Sequence, residues 1–189
     1  MRLDHIAYRV ASRPAAVKFF TEEFGYKFQD EFEIKLEDGS SAKCTSLEPP
    51  EKTISTADFL CTSFVPVGPM VPQQEVQYHL APEIFVSDGP PGSVIDQWVQ
   101  TWGRGVGGIH HMAYAVENVR EKMAEWKQKG YLFTTEDPLT CENLTQIFSQ
   151  PHAVTGVIYE FIERKGQRSF CKGNVAALMS STANLNIKQ

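Results

Sequence analysis

Two stretches decide how this chain reads: Leu3-Asp4-His5-Ile6-Ala7-Tyr8-Arg9-Val10, and its echo Ile109-His110-His111-Met112-Ala113-Tyr114-Ala115-Val116. Both alternate and are rich in β-formers, so each reads as a strand. The echo continues past them. Gly25-Tyr26-Lys27-Phe28 closes the segment after the first copy, and Gly130-Tyr131-Leu132-Phe133 closes the segment after the second. A self-similarity of this length points to two copies of one supersecondary module. His5 and His111 fall at the same place in each copy. If the modules pack with pseudo-twofold symmetry, the two imidazoles can converge on one point, as metal-binding histidines do.

Outward from these strands, each half reads β-α-β-β-β. In the first, Ser12 offers a helix cap and Pro14 suits the first turn, with Val17, Phe20 and Phe24 on one face up to Gly25. Strands are expected from Lys27 to Leu36, turning at Asp38-Gly39, from Ala42 to Leu47, and from Pro82 to Ser87. The proline-bearing segment Glu51 to Val76 reads as a long loop with some strand residues. Ser93 to Trp102 is expected to be a linking helix. In the second half, Asn118 with Glu121 three residues on resembles a capping box opening a helix with Val119, Met123 and Trp126 on its apolar face. Strands are expected at Tyr131–Thr134, about Thr145–Ser149 and Val157–Arg164, and a closing helix from Val175 to about Ser181. The division is 1–106 for the first module with its linking helix, 107–166 for the second, and 167–189 for the closing helix and tail, all within one structural domain.

Composition narrows the chemistry. At 189 residues, 42% hydrophobic and 22% charged, the chain has the make-up of a folded soluble domain. A net charge of −5 argues against nucleic acid or an anionic membrane as the main partner. No apolar run approaches the roughly 20 residues of a membrane span. Cys44, Cys61, Cys141 and Cys171 form no C-x-x-C pair, so reduced thiols are expected. The strand pattern begins at once and leaves no room for a signal peptide, so the expected location is the cytoplasm.

Strand alternation assigns faces. His5 lies with Leu3, Ala7 and Arg9, and His111 with Ile109, Ala113 and Ala115. Glu83 and Glu160 begin matching phrases on the last strands of the two halves, Glu83-Ile84-Phe85 and Glu160-Phe161-Ile162. A carboxylate in a segment as apolar as that around Glu160 is costly to bury unpaired. The candidate metal ligands are therefore His5, His111 and Glu160, with Glu83 as a fourth. Two imidazoles and one or two carboxylates suit Fe(II), Mn(II), Co(II), Ni(II) or Zn(II). His110 is one residue out of phase and Asp4 likewise, so both are expected to point off the metal face. His79 and His152 sit beside loop-like segments and read as solvated.

These residues resemble the vicinal oxygen chelate (glyoxalase/bleomycin resistance/dioxygenase) superfamily. That resemblance implies an α+β fold: two β-α-β-β-β modules forming a half-open mixed β-barrel around a metal. Gly107 to Val119 resembles the second-module opening of methylmalonyl-CoA epimerases. Beyond Thr145 the chain resembles 4-hydroxyphenylpyruvate dioxygenase, in Thr145-Gln146-Ile147-Phe148-Ser149-Gln150-Pro151, in Tyr159-Glu160-Phe161-Ile162-Glu163-Arg164-Lys165-Gly166, and in Ser169-Phe170-Cys171-Lys172-Gly173-Asn174-Val175. Cys171 and Val175 depart from the last phrase, where that family has a glycine and a phenylalanine, and His110 stands where it has glutamine. The dioxygenase also carries a further N-terminal domain outside this sequence.

The dioxygenase resemblance implies an Fe(II) oxygenase acting on a 2-oxo acid. His5, His111 and Glu160 would hold the metal, Glu160 being also the catalytic carboxylate. Gln146, Phe148 and Phe170 would contact substrate, although plain core packing is an equal reading of the two phenylalanines. The epimerase or glyoxalase resemblance implies instead an isomerase or lyase using the metal as a Lewis acid, with Cys44 standing where the epimerases have a second acid/base glutamate. A non-catalytic binder of a small ligand is the third class. Under each, the partner is an oxo acid or other small chelating molecule, and a second copy of the chain is admissible.

Overall fold

The computed structural model describes residues 1–36, 39–50, 81–166, 170–183 and 185. The expected loop at 51–76, Asp38 of the expected turn, Cys61, His79 and most of the tail lie outside them.

The first module contains β1 (Arg2–Val10), α1 (Arg13–Phe24), β2 (Lys27–Lys35), β3 (Ser41–Glu48) and β4 (Glu83–Asp88). Ser12 caps α1 by accepting from the Ala15 N–H, and Gly25 ends it in the left-handed region at φ 70°, where a Cβ would be strained. Helix α2 (Val94–Thr101) links the halves, capped by Ser93. The second module contains β5 (Gly107–Ala115), α3 (Val119–Gln128), β6 (Leu139–Cys141), β7 (Leu144–Phe148) and β8 (Ile158–Arg164), and α4 (Lys172–Thr182) follows. Asn118 caps α3 by accepting from the Arg120 and Glu121 N–H groups, an arrangement worth about 1 kcal/mol.

The eight strands among the described residues form one sheet in the order β2-β3-β4-β1-β5-β8-β7-β6, curled into a half-barrel. The order is the same read outward from the centre in either direction. β1 pairs parallel with β4, and β5 pairs parallel with β8, while the central pair β1–β5 is antiparallel. An antiparallel central pair is what a twofold relation between modules requires. One expected strand is corrected: Tyr131–Thr134 is reduced to a single bridge between Phe133 and Ser149, and β6 supplies the outer strand. Tyr131 instead stacks on Trp126, with ring centroids 4.5 Å apart, so its side chain serves the helix contact rather than a strand face.

The convex face of the second module buries Val119, Met123, Ile147 and Phe161 under α3, and that of the first buries Leu47, Ile84 and Val86 beside α1. On the concave face, Val175 and Met179 of α4 pack with Ala7, Phe32, Ala42, Cys44 and Phe85. Helix α4 touches both β2 and β6, the two edge strands, so it spans the mouth of the curl. Gly107 makes the central crossing close. Its φ is 129°, and a Cβ there would lie 2.4 Å from the Arg9 carbonyl oxygen. Among the described residues Cys44, Cys141 and Cys171 are free thiols, and no helix is long and apolar enough to cross a membrane.

Candidate metal centre

The register of the central strands is self-complementary. His5 faces Ala113 and Ala7 faces His111, so each imidazole projects over the small residue of the other strand. The alanines leave the room that lets the two rings meet. Ala113 in turn pairs with Glu160 on β8. All three side chains are buried on the concave face, at 5% exposure or less.

Their donor atoms form a triangle. His5 Nε2 and His111 Nε2 are 3.3 Å apart, and each is 3.2 Å from Glu160 Oε2. Among the described residues these three are the group of histidine, cysteine and acidic side chains close enough to share an ion. Ligands about 2.1 Å from one cation lie roughly 3.0–3.4 Å from each other in octahedral or tetrahedral arrangements, so the triangle has the right size. Glu160 Oε1 is buried with no hydrogen-bond partner, an orphan that a cation would satisfy. Charge agrees with geometry. Burial opposes a positive His5, yet Glu160 and Asp4 outweigh it and push its pKa up to about 9. Burial would raise the Glu160 carboxyl, and His5 and His111 outweigh that and hold it down. The His111 pKa is lowered, chiefly by burial. The donor set therefore favours a positive charge at its centre, and it fits a divalent cation.

Two expectations are corrected by β-bulges. The register between β1 and β5 slips at Asp4 and again at His110, the residue just before each candidate ligand. A bulge adds one residue and re-aims its side chain. Asp4 thus turns onto the metal face, where its Oδ1 lies 2.9 Å from His5 Nδ1. Arg164 clamps it in place through Nε at 3.2 and 3.1 Å and Nη2 at 2.9 Å. His110 likewise brings its Nδ1 within 2.9 Å of His111 Nδ1. Each candidate ligand histidine therefore has its Nδ1 engaged and its Nε2 directed at the shared point, the arrangement by which neighbours set tautomer and ring orientation. Asp4 is the site residue that alternation alone misses, whereas Arg164 shares the Glu160 face by alternation and lacked only its partner. The signal was a bulge, which leaves no pattern in a single sequence.

Glu83 is the other correction. It pairs with His5, whereas the partner of Ala7 is Phe85. Since Ala7 corresponds to Ala113, the position equivalent to Glu160 is held by Phe85. Glu83 corresponds to Ile158, two residues before Glu160, and its Oε2 lies 3.9 Å from Arg164 Nη2 rather than in the donor triangle. The register thus sets the two glutamate phrases two residues out of step, which a match by their first glutamate overlooks.

The aromatic candidates do border the centre. The Phe170 ring stands perpendicular to His5 at 4.8 Å between centroids and contacts Phe85 at 4.8 Å. Phe148 meets His111 at 5.4 Å and is fully buried. Gln146 shares the concave face with Phe148 and is 3% exposed. His152 lies away from the centre, between Tyr131 and Tyr159.

Known structures with this fold include 4-hydroxymandelate synthase from Streptomyces coelicolor, as a triple mutant (17% identity, TM-score 0.70), which this chain matches over 96% of its own length and 53% of that one. This chain therefore spans about half the length of that structure. A hypothetical protein from Bacillus halodurans aligns at 23% identity and TM-score 0.58, over 89% of this chain and 98% of the other. Methylmalonyl-CoA epimerase from Mycobacterium tuberculosis aligns at 18% and 0.57, over 86% and 87%. At these identities the likeness speaks for the fold alone. No curated protein matches the sequence. The family model described as glyoxalase/bleomycin resistance protein/dioxygenase superfamily matches residues 4–148, a span that contains both histidines, both bulges and the central strand pair. With that match over most of its length, the chain belongs to this superfamily.

Proposed function

We propose that this protein is an Fe(II)-dependent oxygenase, like 4-hydroxyphenylpyruvate dioxygenase, that acts on a 2-oxo acid. The observation that carries the reading is Phe85. The pseudo-twofold puts a ring, not a second carboxylate, at the position matching Glu160, so the described histidine, cysteine and acidic side chains offer three donors and no fourth. Two histidines and one carboxylate with open positions suit non-haem Fe(II) and dioxygen chemistry. Bound by His5, His111 and Glu160, the metal would supply redox chemistry and a chelation point for the carboxylate and keto oxygens of the substrate.

The chain's own residues do the rest. Asp4, held by Arg164, keeps His5 in the tautomer whose Nε2 lone pair faces inward. Phe148 and Phe170 wall the site and exclude water, which oxidative chemistry on an organic substrate requires. Phe170 lies immediately before α4, so the helix that spans the mouth also sets this wall. Gln146 offers a buried amide for a polar group on the substrate. A proton-transferring epimerase would need a base across the site. Cys44, where the epimerase resemblance puts it, is fully buried and its thiol is pushed up to about 12 by burial, so it is a poor base.

The test is metal analysis of anaerobically purified protein, then O2 uptake with a panel of 2-oxo acids. Iron near one per chain with substrate-triggered O2 consumption is the expected result. Cobalt, zinc or manganese without O2 uptake would overturn the reading and favour Lewis-acid chemistry; ligand binding without turnover of any kind would favour a binding protein.

A further inference from the structure

Behind His111, on the His110 side and away from the donor triangle, lies a cavity of about 570 Å³. None of the three candidate ligands lines it. Its polar floor is Arg9, His110 and Thr182, and its apolar walls include Val94, Trp98 and Ile158. Two features of the floor are unusual. Arg9 is 2% exposed, its Nη2 donates to Thr182 Oγ1 at 3.0 Å, and its Nη1 is buried with no hydrogen-bond partner. No described acidic residue lines the cavity, so this guanidinium is buried without a carboxylate facing it. An uncompensated buried cation costs several kcal/mol and is rarely kept without a counter-charge.

His110 is the second feature. It is 4% exposed, and its Nε2 is also buried without a partner. Its tautomer follows from the neighbouring ring. When His111 presents its Nε2 lone pair to a cation, its Nδ1 carries the hydrogen and donates across 2.9 Å to His110 Nδ1. His110 must then carry its own hydrogen on Nε2. Arg9 and His110, both on the cavity lining, thus each hold an orphan donor, that of Arg9 charged at neutral pH, beside a flat indole: Trp98 stands edge-on to His110 at 5.5 Å.

We propose that this cavity binds the carboxylate of a small organic acid, with Arg9 Nη1 and His110 Nε2 donating to its oxygens and its apolar body resting against Trp98 and Val94. The site is separate from the metal centre and joined to it through the His110–His111 contact. The volume suits a single small molecule. The Arg9 half of the argument does not depend on the oxygenase reading; the His110 tautomer rests on His111 being a ligand.

The experiment is calorimetric titration of the full chain with phenylacetate and with its uncharged isostere phenylacetamide, each on metal-loaded and metal-stripped protein. Phenylacetate is expected to bind both forms, and at least tenfold more tightly than the amide. Arg9→Met is expected to weaken phenylacetate at least tenfold while leaving the metal content unchanged. If Arg9→Met does not fold, the acid-against-amide comparison on the wild-type chain decides alone. Equal binding of acid and amide, or no binding at millimolar concentration, would mean that water alone serves the two donors and would overturn the proposal. Binding lost with the metal would place the acid on the metal and overturn it as well. A failed O2-uptake assay with the acid still bound would sink the oxygenase reading and leave this one standing.

Discussion

The two modules share a backbone plan and divide the chemistry unequally. Each contributes a histidine at the same point of its first strand, each bulges at the residue before it, and each pairs that strand in parallel with its last. At the bulge the first module carries Asp4 and the second His110; on the last strand the first carries Phe85 and the second Glu160. The same backbone positions thus hold an anion in one half and a neutral group in the other, crossed over. One carboxylate reaches the centre directly and one acts through a histidine. Pseudo-symmetry builds the meeting point, and its breaking decides how many donors the protein offers there.

Substitutions at the matching positions test this division between the halves. The largest effect is expected from His111→Ala or His5→Ala, which removes one corner of the triangle. Metal that survives desalting in the wild-type chain should be lost, as elemental analysis would read, and activity with it. Retention of metal by both variants would remove the centre from this place. Next is Phe85→Glu, which restores symmetry. Taking a ring from between Phe32 and Phe170 should cost about 3–5 kcal/mol in the metal-free chain. Bound metal should recover part of that, hold more tightly against chelators and cease to support O2 uptake. A Phe85→Glu variant with undiminished turnover would show that the open position is not needed.

A smaller effect is expected from Asp4→Asn, which keeps the shape but removes the charge behind His5. Metal affinity should fall about 10–100-fold, the usual cost of losing such a partner. The same variant has a pH signature. Burial would raise the Asp4 carboxyl above its ordinary value of 3.8, but His5 and Arg164 outweigh it and hold it well below. The unfolded chain therefore binds this proton at a higher pH than the folded one, and the stability Asp4 supplies is present above about pH 4 and lost as pH falls. The gap in Tm between wild type and Asp4→Asn should close on acidification. A gap that widens would reverse the sign and discard the Asp4–Arg164 pair as its source. The smallest effect belongs to Glu83→Gln. Its carboxylate lies by Arg164, outside the triangle, so metal content should not change, and a loss of metal on chelator challenge would reinstate it as a ligand.

Much of this was open to reading in one dimension. The repeat of a strand with histidine at a fixed place carries the two-module fold, because a β-α-β-β-β unit cannot bury its sheet alone and must pair with its copy. Turn and cap chemistry at Ser12, Gly25 and Asn118 placed two of the helices, since those signals are local. The trio His5, His111 and Glu160 was legible for the same reason: alternation fixes a face, and a glutamate inside an apolar strand needs a partner. Tertiary structure alone decided the rest. Which residue opposes Glu160 depends on strand register, and register is set by pairing across the sheet rather than by any local pattern. The roles of Asp4 and His110 depend on two bulges that invert the period-two rule at those residues. The orphan donors of Arg9 and His110 depend on what does not pack against them, and an absence of partners is written only in three dimensions.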